Sequence, residues 1–205
     1  MGSDTDSLHE IATLHIELLD TDPLIWRQLE VPTSIPLKGL HDVVQAAMGW
    51  YNQHLWEMRQ GNRRYGQPIP GENWGSPVVK ADEVRLRDIL KPRKTVLEYT
   101  YDFGDTWEHR LTFTDIRPGD PTAEYPRYIG GERAAPPEDC GGIPGFYDAL
   151  EALADPHHPE HADMVDWFDG YDPATFEEET VKIALSRIAR RRNPANATAA
   201  NKTKP

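Results

Sequence analysis

The residues able to do chemistry collect in two short, punctuated stretches. Residues 99–113 read YTYDFGDTWEHRLTF and residues 130–142 read GGERAAPPEDCGG. Between them they carry Asp102, Asp105, Glu138 and Asp139, with His109 and the only cysteine, Cys140. Four carboxylates and an imidazole admit two chemistries. Gathered around a divalent cation, they would serve a metal-dependent hydrolase. Turned outward, they would grip a basic protein or peptide. Each residue also has a structural reading. Alternation along a strand puts Trp107, His109, Leu111 and Phe113 on one face. His109 is then either a core histidine bonded to a neighbour or a pocket wall oriented by Asp102 or Asp105. The two aspartates suit a tight turn, with Gly104 expected to supply a positive φ. Glu138 and Asp139, stiffened by Pro136-Pro137 and released by Gly141-Gly142, could equally cap the next helix. A nucleophilic Cys140 would need a lowered pKa, and neighbouring acids push the other way.

Two further groups are weaker. Residues 155–167, DPHHPEHADMVDW, place His157 and His161 four apart with Asp163 following. On a helix these could hold a metal, but Pro159 interrupts them and no HExxH spacing is present. Solvated helix-start residues are the simpler reading. His54, beside Leu55 and Trp56, reads as a packed residue at a strand start. The Asp102-Phe103-Gly104 triplet does not make a kinase, because the glycine-rich loop and His-Arg-Asp loop are missing.

Periodicity supplies the elements that must position these groups. Residues 11–18 and 25–31 read as strands, separated by the turn signal Asp20-Thr21-Asp22-Pro23. A helix is expected over 36–48, capped by Ser34 and stopped at Gly49, with Leu37, Leu40, Val44, Ala47 and Tyr51 on its apolar face. A strand over 55–59, a long loop over 63–80, a helical turn over 84–90 and a hairpin of strands 95–101 and 107–116 follow. The hairpin should be central in the sheet, with the helix over 36–48 on its apolar face. Helices are expected over 145–154, 160–168 and 173–192, the last capped by Asp172. The fold class is α+β, with a mixed sheet of about five strands, one packed helix in the N-terminal half and a helical C-terminal part. One domain over 8–192 is expected, as a sheet body (8–117) and a helical part (140–192), with a disordered tail at 193–205.

Charge narrows the function. The 205 residues carry a net charge of −12. Six of the 22 basic residues lie from Arg187 onward, where there is no acid. That leaves 16 basic against 34 acidic residues, a net −18, over 1–186. Such a body repels phosphate backbones, so nucleic acid is not its expected partner. One cysteine permits no internal disulfide, no run resembles a signal segment, and none reaches the roughly 20 apolar residues of a membrane span. The cytoplasm is the expected location.

Several motifs in order resemble the plasmid pRi ORF-three-like family. They are Ile25-Trp26-Arg27, Gly49-Trp50 with His54-Leu55, and Tyr101-Asp102-Phe103-Gly104-Asp105 with Trp107 and His109. Pro136-Pro137-Glu138-Asp139 with Gly141-Gly142, His158-Pro159-Glu160-His161, and Phe176 after Asp172-Pro173 continue the pattern. The resemblance spans about residues 8–190. It implies an α+β protein of plasmids, mobile elements and chromosomes, without an assigned activity. Some members bear the label TnpR, a transposon passenger, which implies a resolvase-like DNA-processing role. The residues oppose that role: Ser3 and Ser7 lie in a polar leader, and Arg27 is the only early arginine. The expectation is therefore a binding or accessory module that uses its acidic loops. The alternative is a hydrolase in which Asp102, Asp105, His109, Glu138 and Asp139 surround a divalent metal. If the two acidic loops meet, a positive group should lie between them: a cation, Arg110, Arg133 or a basic group of a partner. Removing Asp105 and Glu138 together should then leave stability unchanged or raise it.

Overall fold

The computed structural model of the chain describes residues 10–69, 71, 76–91 and 93–192. The expected loose leader and disordered tail lie outside them. Eight strands form one mixed sheet. They are β1 (Glu10–Leu18), β2 (Ile25–Pro32), β3 (Trp56–Gln60), β4 (Arg63–Gly66), β5 (Val78–Lys80), β6 (Thr95–Tyr101), β7 (Trp107–Pro118) and β8 (Arg127–Glu132). Four helices accompany them: α1 (Leu37–Met48), α2 (Gly142–Ala154), α3 (His161–Phe168) and α4 (Glu178–Arg192). The strand order is β5-β4-β3-β6-β7-β1-β2-β8, with only the β4–β5 pair parallel among these neighbours. The β6–β7 hairpin is central, as its apolar alternation requires. No described helix is long and apolar enough to cross a membrane.

The count of eight strands corrects the expected five. Residues 63–80, read as a loop, supply the four-residue β4 and three-residue β5. Runs that short show no alternation to read. The sheet also runs past residue 117, because β8 pairs with β2. Its Gly130-Gly131 looks like a turn in sequence. At Gly131 a Cβ would come within 2.7 Å of Arg27 Cδ and 2.8 Å of the Trp26 carbonyl oxygen. Glycine there permits close strand approach rather than a turn.

Helix α1 covers the sheet face that carries Leu97, Tyr99, Tyr101, Trp107, His109, Leu111 and Phe113. Leu37, Leu40, Val44 and Ala47 are fully buried on it, but Tyr51 lies past Gly49 and is 78% exposed. Gly49, at φ 79°, ends the helix as expected. Ser34 does not cap it. The N–H groups of Leu37 and Lys38 instead donate to the Val84 and Ala81 carbonyls at 2.8 and 3.1 Å, which satisfies part of the open first turn. Helix α4 starts at Glu178 rather than near Pro173. Asp172 holds a turn ahead of it by accepting the Ala174 N–H at 2.9 Å.

Two polar features lie inside this apolar layer. Arg27 is 1% exposed, and no carboxylate pairs with it among the described contacts. Its guanidinium donates to the carbonyls of Ala47 (2.9 Å), Trp26 (2.8 Å) and Glu132 (2.9 Å), and Phe176 stacks over it at 3.9 Å. Burial lowers its pKa to about 10. One side chain thus ties the C-terminal end of α1, β8 and the chain before α4 to β2. The second feature is a closed network on α1. His41 Nε2 donates to Asn52 Oδ1 (2.6 Å) and Tyr99 Oη donates to His41 Nδ1 (2.8 Å). Gln45 donates to Tyr99 Oη (3.0 Å) and accepts the Asn52 N–H (3.0 Å). His41 also stacks flat on Trp56 at 4.1 Å.

Burial lowers the pKa of both His41 and His109 to about 4. In the unfolded chain each takes a proton near pH 6.5. Between pH 6.5 and 4 the unfolded state therefore binds more protons, and stability falls as pH falls. Each histidine should cost roughly 3 kcal/mol across that window, at about 1.36 kcal/mol per pKa unit. Thermal denaturation from pH 7 to 4 should show this decline, and His109→Gln should reduce its slope. A stability that is flat down to pH 4 would contradict the buried neutral histidines.

Candidate functional site

The site forms where three loops meet at one end of the hairpin. The first follows α1, the second joins β6 to β7, and the third runs from Pro136 into α2. Tyr101, the last residue of β6, organises them. Its hydroxyl accepts the N–H groups of Gln53 (3.0 Å) and His54 (3.4 Å) and donates to Glu138 Oε1. Burial, followed by this carboxylate, drives the phenol pKa well up, so it remains a donor. Glu138 Oε2 accepts the Tyr51 N–H at 2.8 Å. Trp50 stacks on Tyr101 at 5.2 Å and donates from Nε1 to the Pro136 carbonyl at 2.8 Å.

The hairpin turn is rigid for a different reason from the one expected. Gly104 is not among the residues with positive φ; Asp102 (55°) and Thr106 (57°) are. Asp102 donates its N–H to the Leu55 carbonyl (2.8 Å) and accepts the Thr106 N–H on its own carbonyl (2.6 Å). Its Oδ1 accepts the Gly104 N–H at 2.9 Å. Aspartate can hold this left-handed geometry because its short side chain bonds locally. Asp105 Oδ2 accepts the Gly141 N–H at 3.1 Å, which joins the turn to the third loop. The contact is close: at Gly142, φ 68°, a Cβ would lie 2.3 Å from the Asp105 carbonyl oxygen.

These contacts separate the five candidate residues. Asp102 and Asp139 approach each other with His54 between them. His54 Nδ1 lies 3.5 Å from Asp102 Oδ2, and Nε2 lies 3.1 Å from Asp139 Oδ1. Glu138 and Asp105 are each engaged in holding the loops together. His109 is 1% exposed and donates from Nδ1 to the Trp107 carbonyl at 3.0 Å, with Trp50 edge-on to its ring. Neither aspartate orients it. His54, read from sequence as a strand-start residue, is the imidazole at the site. Its neighbours in sequence gave no sign of this, because Tyr101 and two distant loops create its surroundings. The only available signal was its recurrence beside Gly49-Trp50 in the family pattern.

One ligand atom from each of His54, Asp102 and Asp139 lies within 4.8 Å of the others, the one such set of metal-holding geometry among the described residues. His157, His161 and Asp163 do not form a set; His161 Nδ1 donates to the Ala152 carbonyl at 2.9 Å. Burial first, then Asp105 and Asp139, push the Cys140 thiol up to about 12, so it is no nucleophile. Arg110 lies on the opposite sheet face beside Glu17 (3.5 Å). Arg110 is therefore not the positive group expected between the acidic loops, and the His54 ring lies there beside Asp102 and Asp139.

Beyond Asp139 opens a cleft of about 560 Å³ between α2 and α3. Asp139, Asp148, Glu160 and Asp163 line it with Met164 and Trp167, and no lining residue is basic. Trp167 is 47% exposed. Three other large apolar side chains are exposed on the neighbouring loops: Tyr51, Leu55 and Phe103.

Comparison with known proteins adds a family but no reaction. A family model described as Plasmid pRiA4b ORF-3-like protein matches residues 10–180. The chain is similar to the Uncharacterized protein y4hQ of Sinorhizobium fredii, at 36% identity over 182 residues, covering 87% of this chain and 92% of that protein. Its fold is similar to the crystal structure of the protein of unknown function MM3350 from Methanosarcina mazei Go1. That match has a TM-score of 0.75 and 33% identity, and covers 83% of this chain and 96% of the other.

Because Asp105 and Glu138 hold the loops together, removing both should destabilise the protein, contrary to the sequence expectation. Asp105→Ala with Glu138→Ala should cost about 2–4 kcal/mol, at roughly 1.5–3 kcal/mol for each hydrogen bond to a charged group, discounted for partial exposure. Urea denaturation measures this. Unchanged stability would mean that the two bonds are incidental.

Proposed function

The chain belongs to the Plasmid pRiA4b ORF-3-like family, and we propose that it works as a binding module whose acidic loops and adjoining cleft take a basic segment of a partner protein. The observation that carries this reading is the cleft itself, with four carboxylates and no basic residue around Met164 and a half-exposed Trp167. A lysine or arginine fits both parts of such a surface. Its aliphatic stem lies on Met164 and the indole, and its charge reaches Asp148, Glu160 or Asp163. The net −18 of residues 1–186 draws basic partners in and repels phosphate backbones. That charge also counts against the resolvase-like role implied by the TnpR label. So does Arg27, which is sealed in the core and cannot reach a phosphate. An intracellular setting, the cytoplasm, suits a chain with one buried free cysteine.

A metal-dependent hydrolase is the second reading, favoured by the meeting of the two acidic loops. It ranks second because two of the five residues it assigns to the metal are taken up elsewhere. His109 is buried, and Glu138 is committed to Tyr101 and Tyr51.

The test is a titration of tryptophan fluorescence with a lysine- and arginine-rich peptide and with its glutamate counterpart, run also on Trp167→Phe to isolate that indole among the six tryptophans. Binding should be selective for the basic peptide and weaken with salt. It should fall at least roughly 5-fold in Asp148→Asn with Asp163→Asn, on the order of 1 kcal/mol for lost charge pairs. Equal binding of both peptides, or no effect of the double substitution, would refute the reading.

A further inference from the structure

We infer that His54, Asp102 and Asp139 form a binding site for one divalent transition-metal ion. Three independent features support it. The first is ligand placement: one nitrogen and two carboxylate oxygens from three separate loops lie within 4.8 Å of one another. The second is the state of the imidazole. His54 Nε2 is shut off from solvent and has no hydrogen-bond partner, although Asp139 Oδ1 is only 3.1 Å away. The two atoms are near but misaligned for a hydrogen bond. That is awkward for a finished ion pair and natural for two ligands pointing at a shared ion. The third is left-handed backbone, which Asn and Asp tolerate and which is strained at the β-branched Thr106. Asn52, Asp102, Thr106 and Asp139 all have positive φ, between 55° and 60°, in the loops that make the site. Such non-glycine residues cluster where a function requires a fixed geometry.

The supporting shell is already in place. The Asp102 backbone is bonded on both sides, and Gly104 occupies Oδ1, leaving Oδ2 free beside the Nδ1 edge of His54. The Tyr101 hydroxyl receives the His54 N–H. Asp139 is the third ligand, with a side chain 66% exposed. Three protein ligands, one of them exposed, leave coordination positions facing solvent, as in open rather than closed metal sites. One imidazole with two carboxylates suits Zn²⁺, Mn²⁺ or Fe²⁺. Calcium and magnesium prefer all-oxygen shells.

The experiment uses the full chain, stripped with a chelator and titrated with Co²⁺ by visible absorption and with Zn²⁺ by calorimetry. One ion per chain should bind, and excess Ca²⁺ should not displace it. His54→Gln and Asp139→Asn should each weaken binding at least roughly 10-fold, and Asp163→Asn should leave it unchanged. Asp139→Asn is the decisive variant: the side chain is exposed, and asparagine accepts the same positive φ, so the fold survives. Uptake of no ion, uptake of several ions, or equal affinity in Asp139→Asn would overturn the inference. Because Asp163 lines the cleft but not this site, loss of peptide binding and loss of metal binding report on separate claims.

Discussion

The hydroxyl of Tyr101 holds three segments that are far apart in sequence. It takes the backbone N–H groups of Gln53 and His54 and gives its proton to Glu138, whose second oxygen takes the Tyr51 N–H. Its ring is packed under Trp50, which reaches on to the Pro136 carbonyl. Without that hub, the loop after α1 and the loop before α2 would have no shared anchor at the end of β6. The carboxylates could then be displaced by solvent. Charged loops stay this close only when their backbone donors and a rigid aromatic base hold them there. The placement of His54, Asp102 and Asp139 thus depends on residues that are themselves fully committed to structure.

Arg27 plays a similar part at the other side of the covered face. A buried guanidinium without a carboxylate is costly, and here three carbonyls and the Phe176 ring compensate it. One of those carbonyls, on Ala47, lies at the negative end of α1, where a cation is favoured. The arrangement fastens the helical C-terminal part to the sheet. Through Phe176 it holds the chain ahead of α4 against β2. Trp26-Arg27, Gly49-Trp50, the Asp102–Asp105 turn and the Pro136–Asp139 loop are widely separated in sequence. In space they are successive parts of one support.

Much of this was legible from sequence where a pattern ran long enough. The alternation from Thr95 to Phe113 located the central hairpin, and the spacing of Leu37, Leu40, Val44 and Ala47 located the helix above it. Strands β4, β5 and β8 were not legible, because three to six residues with arginines or paired glycines carry no usable period. At the site, the acidic loops were visible as glycine-punctuated segments, and a counter-charge was expected between them if they met. Which residues would be free was not visible. Glu138 looks as available as Asp139 until Tyr101 and Tyr51 are seen to occupy it. His109 looks more functional than His54 until the sheet is assembled, because alternation assigns a face and says nothing of what covers it. The positive φ expected at Gly104 falls instead on Asp102 and Thr106, whose bonds to each other make the turn without glycine's freedom.

Residues from distant motifs are brought together in one acidic centre at the end of the hairpin. The most direct test is an anomalous-diffraction experiment on crystals of the full chain grown with Zn²⁺ or Co²⁺. The predicted result is a single strong peak bounded by His54, Asp102 and Asp139, with the Tyr101–Glu138 and Asp105–Gly141 bonds intact. A peak elsewhere, or a His54 ring turned away from both aspartates in well-ordered density, would contradict it.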